Sequence, residues 1–252
     1  MIEQHVRGGA FEGLAADYQR YRIGYSSELF EVLEGFGFRR GASVLDAGCG
    51  TGLSMAPLAA RGMAPTGLDP SPQMLAAAML AVPSATFVEG RVEALPFPDR
   101  RFDAAVSAQS FHRFDPDRAY AELARVVKPG GPIAVWWKIL GSDDSLRALR
   151  AAACARIGAL PVPDPLRGGF GAFYRAPFAT RTLRVLPFTA RFGVDDWIGY
   201  ERSRASARDA YGEKLERYLD ALRFELLAKY GSPAARVEVR YTQFLYVGIT
   251  PR

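Results

Sequence analysis

An aspartate followed by glycines at alternate positions, Asp46-x-Gly48-x-Gly50-x-Gly52 within VLDAGCGTG, is the most chemically specific stretch of the chain. Glycines at this density let a ligand reach main-chain N–H groups, because no Cβ intervenes and φ is free to be positive. Between a strand and a helix, such a turn presents those N–H groups at the helix N-terminus. Two ligand classes use turns of this kind. A dinucleotide requires GxGxxG, whose third glycine permits close helix packing. Here the spacing is GxGxG, and Asp46 just upstream would repel a pyrophosphate while attracting a cationic group. A second candidate is His112 in SAQSFHRFD, which could take a proton from a substrate, hydrogen-bond to it, or merely shape a pocket wall at a helix start. The other histidine, His5, belongs to the terminus.

These residues need a scaffold, and the first half of the chain supplies one. Short β-type runs at 43–48, 64–69, 85–90, 102–108 and 132–138 alternate with stretches of helical spacing that end in Gly or Pro. That rhythm predicts a doubly wound α/β layer with ligands at the carboxyl ends of parallel strands. Beyond Gly141 it changes to a helix candidate, a Pro/Gly/aromatic-rich loop at 160–178 expected to be a lid, a strand at 180–192, further helices and a closing strand at 236–250. The expected division is a helical lead-in and binding core over 1–138, a cap insertion with one core strand over 139–235, and a closing strand over 236–252. The lid's Phe173 and Tyr174, with Trp197 and Tyr200, could roof a substrate pocket, and Trp137 could face it from the fifth strand; core packing also explains such aromatics.

Composition narrows the classes. At 252 residues and 49% hydrophobic content, the chain can bury a sizeable core. No apolar run approaches the roughly 20 residues of a membrane span, and the N-terminus has no signal-peptide segment, so a cytoplasmic location is expected. Cys49 and Cys154 form no CxxC pair and are expected to be free thiols, without zinc. Residues 139–252 hold 18 of the 32 basic side chains and 12 of the 27 acids, so the back half is the basic half. The arginine bias fits either a GC-rich genome or a site for an anionic ligand.

VLDAGCGTG resembles the first motif of the class I S-adenosylmethionine-dependent methyltransferases, and the resemblance extends beyond it. GLDPS (67–71), FVEGRVEALPFPDRRFDAAVSAQSFHRFD (87–115) and ELARVVKPGGPIAV (122–135) resemble the family's following segments in order. QSFHRFD resembles the Q-x-FHWFD segment of a type 11, trans-aconitate methyltransferase-like subgroup, with Arg113 in place of tryptophan. ADYQRYRIGYSSEL resembles that subgroup's lead-in.

The resemblance implies a Rossmann-like seven-stranded sheet of order 3-2-1-4-5-7-6, its last strand antiparallel, under a mostly helical cap. It implies S-adenosylmethionine as cofactor and S-adenosylhomocysteine as product. Asp46, Gly48, Cys49 and Gly50 fall at the methionine moiety, Asp69 and Pro70 at the ribose, and Met74 over the adenine. Gly90, Arg91, Val92 and Glu93 fall at the adenine edge, Ser107 and Gln109 close the fourth strand, and Arg22 could pair with the cofactor's carboxylate. Tyr18, Tyr21, Tyr25 and Phe111 fall where substrate contacts are expected. The implied activity is methyl transfer to a small molecule, with O-methylation of a carboxylate or hydroxyl foremost. An RNA or protein methyltransferase, and a cofactor-binding protein without transfer, stay open. Against nucleic acid stand the lack of a lysine-rich run, an RNA-binding module or an NPPY motif. Oligomeric state is left open.

Overall fold

The computed structural model describes residues 15–141, 145–162 and 175–252. Two helices lead in: α1 (Ala15–Tyr21) and α2 (Ser27–Glu34), the latter capped by Ser26, whose Oγ accepts from Leu29 N at 3.3 Å. The α/β core follows as β1 (Ser43–Ala47), α3 (Met55–Ala60), β2 (Ala64–Asp69), α4 (Pro72–Ala81), β3 (Thr86–Glu89), β4 (Ala104–Ala108), α5 (Pro116–Val126) and β5 (Pro132–Leu140). Local chemistry starts its helices. Ser71 caps α4 and Asp115 caps α5, each followed by a proline at the first helical position, where a missing N–H costs nothing.

The seven strands run β3-β2-β1-β4-β5-β7-β6. The first five are mutually parallel, and β7 (Val237–Ile249) is antiparallel to both β5 and β6 (Thr180–Phe192). All five residues of β4 are buried, as a central strand sandwiched by helices requires. One face packs α5, Phe102, Phe111 and Trp137; the other packs α2, Phe30, Phe38 and Trp136.

β6 and β7 outrun their neighbours. Leu140, the last residue of β5, pairs with Tyr241, yet the β6–β7 ladder continues from there to Phe192↔Val237. This overhang projects past the carboxyl edge of the parallel strands. Its apolar side chains Ala190, Phe192, Val237 and Val239 join a separate core with α6 (Ser145–Arg156), α7 (Val194–Arg202), α8 (Ala205–Tyr211) and α9 (Leu215–Tyr230). The helical cap is thereby held over the edge where ligands are expected. The loop expected as a lid lies mostly at 163–174, outside the described residues, as do Phe173 and Tyr174.

Candidate active site

A cavity of about 260 Å³ lies at the carboxyl edge of the sheet, walled by the β1 and β4 turns, α1 and the cap. β1 lies between β2 and β4, where the strand order reverses, so the cleft occupies the topological switch point. α1 packs on both α4 and α7, roofing the cleft from the lead-in.

The glycine turn has two distinct requirements. Gly48 has φ +73°, and a Cβ there would stand 2.8 Å from the Ser110 side chain and 2.9 Å from the Phe114 ring. Gly50 has φ +54°, but its Cβ position meets nothing within 4 Å, so the turn is open there. Gly50 N donates to Asp69 Oδ2 at 2.9 Å and Ser71 N donates to Asp69 Oδ1 at 3.0 Å. The Asp69 carboxylate is therefore fixed in orientation, and each oxygen retains a lone pair for a further donor. Burial raises its pKa, opposed by the two backbone hydrogen bonds and by Arg113.

Asp46 is fully buried behind the turn. Its Oδ2 accepts from Ser54 Oγ at 2.5 Å, whereas Oδ1 has no partner among the described residues. Burial, reinforced by Asp69, pushes its pKa up to about 7 against the Ser54 hydrogen bond. Buried polar atoms are nearly always paired, so this oxygen has capacity for a further polar partner. Thr51 Oγ1, at the opening of α3, is a second buried orphan.

Gln109 has φ +58°, rare for a residue other than glycine and typical of strained functional turns. Its main-chain N–H bonds to Trp136 O at 2.9 Å and its Nε2 to Lys138 O at 2.9 Å, while Oε1 is a buried orphan. Thr51 and Gln109 thus line the cleft with unspent hydrogen-bonding capacity, whereas Asp46, expected at the ligand, lies outside the lining, behind the turn.

Most residues expected from the sequence meet here. Gly48, Cys49, Gly50, Asp69, Pro70 and Met74 line the end of the cavity beside the glycine turn. Arg91, Val92 and Glu93 line its rim, where Glu93 Oε1 also accepts from Asp115 N at 3.0 Å. Tyr18, Arg22 and Tyr25 come from the lead-in, Gln109 and His112 from the end of β4, and Trp197 and Tyr200 from α7. Arg22 Nη2 donates to Ser203 O at 3.1 Å, and its guanidinium lies between the Tyr18 and Tyr200 rings.

Other expected contacts are displaced. Phe111 is buried against Tyr120, ring centroids 4.4 Å apart, and Trp137 is buried among core residues of the same cluster. Neither is among the residues lining the cavity, but Trp137 Nε1 donates to His112 Nδ1, which is. Tyr21 is also off the wall, its ring pressed onto Gly199 of α7. Ser107 is fully buried, its Oγ paired with Ser110 Oγ at 2.8 Å, and supports the turn from behind. Gly90 lies outside the lining and bonds through its N–H to Asp69 O at 3.3 Å.

Sequence reasoning missed a polar group on the cap side. Lys138 lines the cavity where β5 ends, and Arg150, Glu201 and Arg204 line it from α6 and the α7–α8 junction. Glu201, fully buried, accepts from Arg204 Nη1 at 3.0 Å and from Tyr218 Oη at 3.3 Å, and Arg150 Nε stands 3.5 Å away. The Glu201-x-x-Arg204 spacing on helical sequence was the available signal; Arg150's arrival was not visible.

The known proteins agree with this architecture. A family described as a methyltransferase domain matches residues 45–135. An uncharacterized methyltransferase of Mycobacterium bovis is 37% identical over 128 residues, 51% of this chain and 51% of that protein, so the chain spans about half the length of that relative. A demethylmenaquinone methyltransferase of Thermus thermophilus is 31% identical over 206 residues, covering 77% of this chain and 80% of that protein. The chain belongs to the class I S-adenosylmethionine-dependent methyltransferases. The structure of a type II methyltransferase candidate from Anaeromyxobacter dehalogenans superimposes on this methyltransferase with a TM-score of 0.72 and 26% identity, covering 92% of this chain and 100% of that one. The seven-stranded sheet of this chain, of order β3-β2-β1-β4-β5-β7-β6, is thus a methyltransferase fold. Among the described residues, no helix is long and apolar enough to cross a membrane, and no group of His, Cys, Asp or Glu could hold a metal ion.

Proposed function

We propose that this methyltransferase binds S-adenosylmethionine in the cleft and transfers its methyl group to a small molecule held beneath the cap, with a carboxylate or hydroxyl oxygen as acceptor. The reading is carried by Asp69: a carboxylate clamped by Gly50 N and Ser71 N, with a lone pair left on each oxygen, suits a vicinal diol such as a ribose. The orphan Asp46 Oδ1 behind the open turn fits a ligand with a cationic amine. Met74 beneath the adenine, and Arg22 toward the cofactor's carboxylate, complete the proposed set.

When bound, S-adenosylmethionine supplies a methyl group already activated by its sulfonium. The chain's own task is then alignment and exclusion of water, which is where in-line displacements gain most. α1, packed on α4 and α7, covers the cleft and keeps both ligands dry. His112 and Gln109 stand where β4 ends, between the cofactor end and the cap end, and orient the acceptor.

Calorimetry with S-adenosylmethionine, S-adenosylhomocysteine and NAD tests the cofactor. Binding of both sulfur ligands but not NAD is expected, and Asp69→Ala should weaken it by about 1–3 kcal/mol, the scale of lost charge-assisted hydrogen bonds. NAD binding without response to either sulfur ligand would sink the assignment. Labelled methyl transfer into metabolite extracts, compared with RNA and protein fractions, then identifies the acceptor class.

A further inference from the structure

Lys138 lines the cavity where β5 ends, and no carboxylate among the described residues pairs with it. Its Nζ donates to two main-chain carbonyls of the lead-in, Ile23 O at 2.6 Å and Gly24 O at 3.1 Å. The Tyr25, Tyr241 and Phe188 ring centroids stand within 5.9 Å of it. Two carbonyls take both hydrogens of a neutral amine and leave its lone pair unspent. The same carbonyls and ring faces also solvate an ammonium, so the position accepts either form. Burial, and then the charge of Arg22, bring the ammonium down to about 7, which populates the amine at neutral pH. Burial also holds the Tyr25 and Tyr241 phenols well above their ordinary value, so neither offers Lys138 a phenolate.

Other acid–base groups of the wall are already engaged. His112 accepts from Trp137 through Nδ1, and Glu93 accepts from Asp115 N. Asp69 is clamped by two backbone N–H groups. On the cap side, Glu201 accepts from Arg204 and Tyr218, with Arg150 beside it. Lys138 is tied to the end of β4 by its own carbonyl, which accepts from Gln109 Nε2 at 2.9 Å beside the strained turn that leads to His112. A buried amine on a cavity wall, lacking a counter-ion, suits proton abstraction.

We propose that Lys138 is the general base of the methyl transfer, and that the acceptor is accordingly an alcohol or phenol whose hydroxyl proton must be removed. This rests on reading the cleft as a methyl-transfer site. The Nζ lone pair takes the proton as the acceptor oxygen bonds to the methyl carbon. The methyl–sulfur bond breaks with its electron pair passing to sulfur, which becomes a neutral thioether. The sulfonium's positive charge thus ends on the Lys138 ammonium, held by Ile23 O and Gly24 O until water takes the proton. A carboxylate acceptor arrives ionised and needs no such base.

The first test reads the amine without turnover. The chain has four lysines, Lys128, Lys138, Lys214 and Lys229, so the signal that Lys138→Met removes from the carbon spectrum of lysine-labelled protein is assigned directly. With S-adenosylhomocysteine bound, Lys138 should be mostly amine at pH 8 while the other three remain ammonium; a Lys138 that is mostly ammonium at pH 8 overturns the proposal. The second test follows labelled methyl transfer into a small-molecule extract and carries the labelled acceptor into a pH series. Turnover should fall at low pH through a limb near 7, and both Lys138→Met and Lys138→Arg should lose roughly 10²–10⁴-fold. S-adenosylhomocysteine binding certifies each variant as folded; if both lose it, the carbon spectrum of the wild type decides. Arginine keeps a donor for the lead-in carbonyls but cannot take a proton. Turnover restored in Lys138→Arg would reduce the lysine to a latch on the lead-in, and methylation at any atom other than a hydroxyl oxygen likewise overturns the proposal. A wild-type protein that neither binds S-adenosylhomocysteine nor transfers label overturns the methyl-transfer reading itself, a different failure.

Discussion

Trp137 Nε1 donates a hydrogen bond of 3.3 Å to His112 Nδ1. An indole N–H can only donate, so Nδ1 must accept and the neutral imidazole carries its hydrogen on Nε2. The tautomer of His112, on the cavity wall, is thus set by a tryptophan buried in the core. A ring whose basic nitrogen is already engaged favours a role as hydrogen-bond donor to the acceptor over that of general base.

The kinetic consequence is specific. His112→Ala should raise KM roughly 10-fold, the cost of one charge-assisted hydrogen bond, and leave turnover and the low-pH limb of the rate within a few-fold of wild type. A fall in turnover of roughly 10²–10⁴-fold would restore the general base. Nitrogen chemical shifts of the imidazole should report the Nε2–H form in the wild type and a mixture of tautomers in Trp137→Phe.

Asp46 predicts a pH dependence of its own. Its pKa in the ligand-free fold, about 7, is raised above that of the unfolded chain, so the folded state holds the proton more tightly. Folding stability from this group is therefore full below pH 4 and is lost as pH rises through 7. Asp46→Asn should melt several degrees higher than wild type at pH 8. Cofactor affinity should move oppositely, strengthening from pH 6 to pH 8 with release of a proton and becoming flat in the variant. Calorimetry in two buffers of different ionisation heat reads the proton directly.

Gly48 and Gly50 should separate folding from binding. Alanine at Gly48 must strain the backbone and displace Ser110 or Phe114, and a loss of about 2 kcal/mol or more in unfolding free energy is expected. Alanine at Gly50 strains φ but meets no atom, so the fold should suffer less while the methyl group projects toward the ligand. Denaturant titrations beside cofactor titrations should show the first defect in stability and the second mainly in affinity. Equal effects on both would remove the distinction.

Glu201 holds the cap cations, and Glu201→Gln leaves Arg150 and Arg204 without their shared counter-charge. Removing one member of a buried ion pair costs about 3–5 kcal/mol, so the melting temperature should fall by roughly 6–20 °C. A variant as stable as the wild type would show that the charges relax into water.

The glycine-turn end of the cleft was legible because its geometry is local. Positive φ at Gly48 and Gly50, the acid ending β2 and the serine and proline that open α4 are all written in consecutive residues. β6 appeared over 180–192 as expected because its alternation is plain. Trp137 was misplaced for a physical reason: β5 is buried on both faces, so alternation cannot tell core from cleft. Phe111 failed similarly, since a single 3₁₀ turn decides which neighbour of His112 faces inward. The Arg150, Glu201 and Arg204 group depends on how α6 meets α7, which no local pattern encodes.

The overhanging β6–β7 ladder makes the molecule a cantilever. Its root is clamped to β5 from Pro132 to Leu140, and its free arm, Thr189 to Phe192 against Val237 to Arg240, carries the cap. On the proposed reading, acceptor selectivity can be retuned by trimming, extending or exchanging what hangs from that arm, with no change to the glycine turn or Asp69. Grafting other helices between Ala190 and Val239, in place of α7 to α9 and against a retained α6, is the natural route to a new acceptor on that reading.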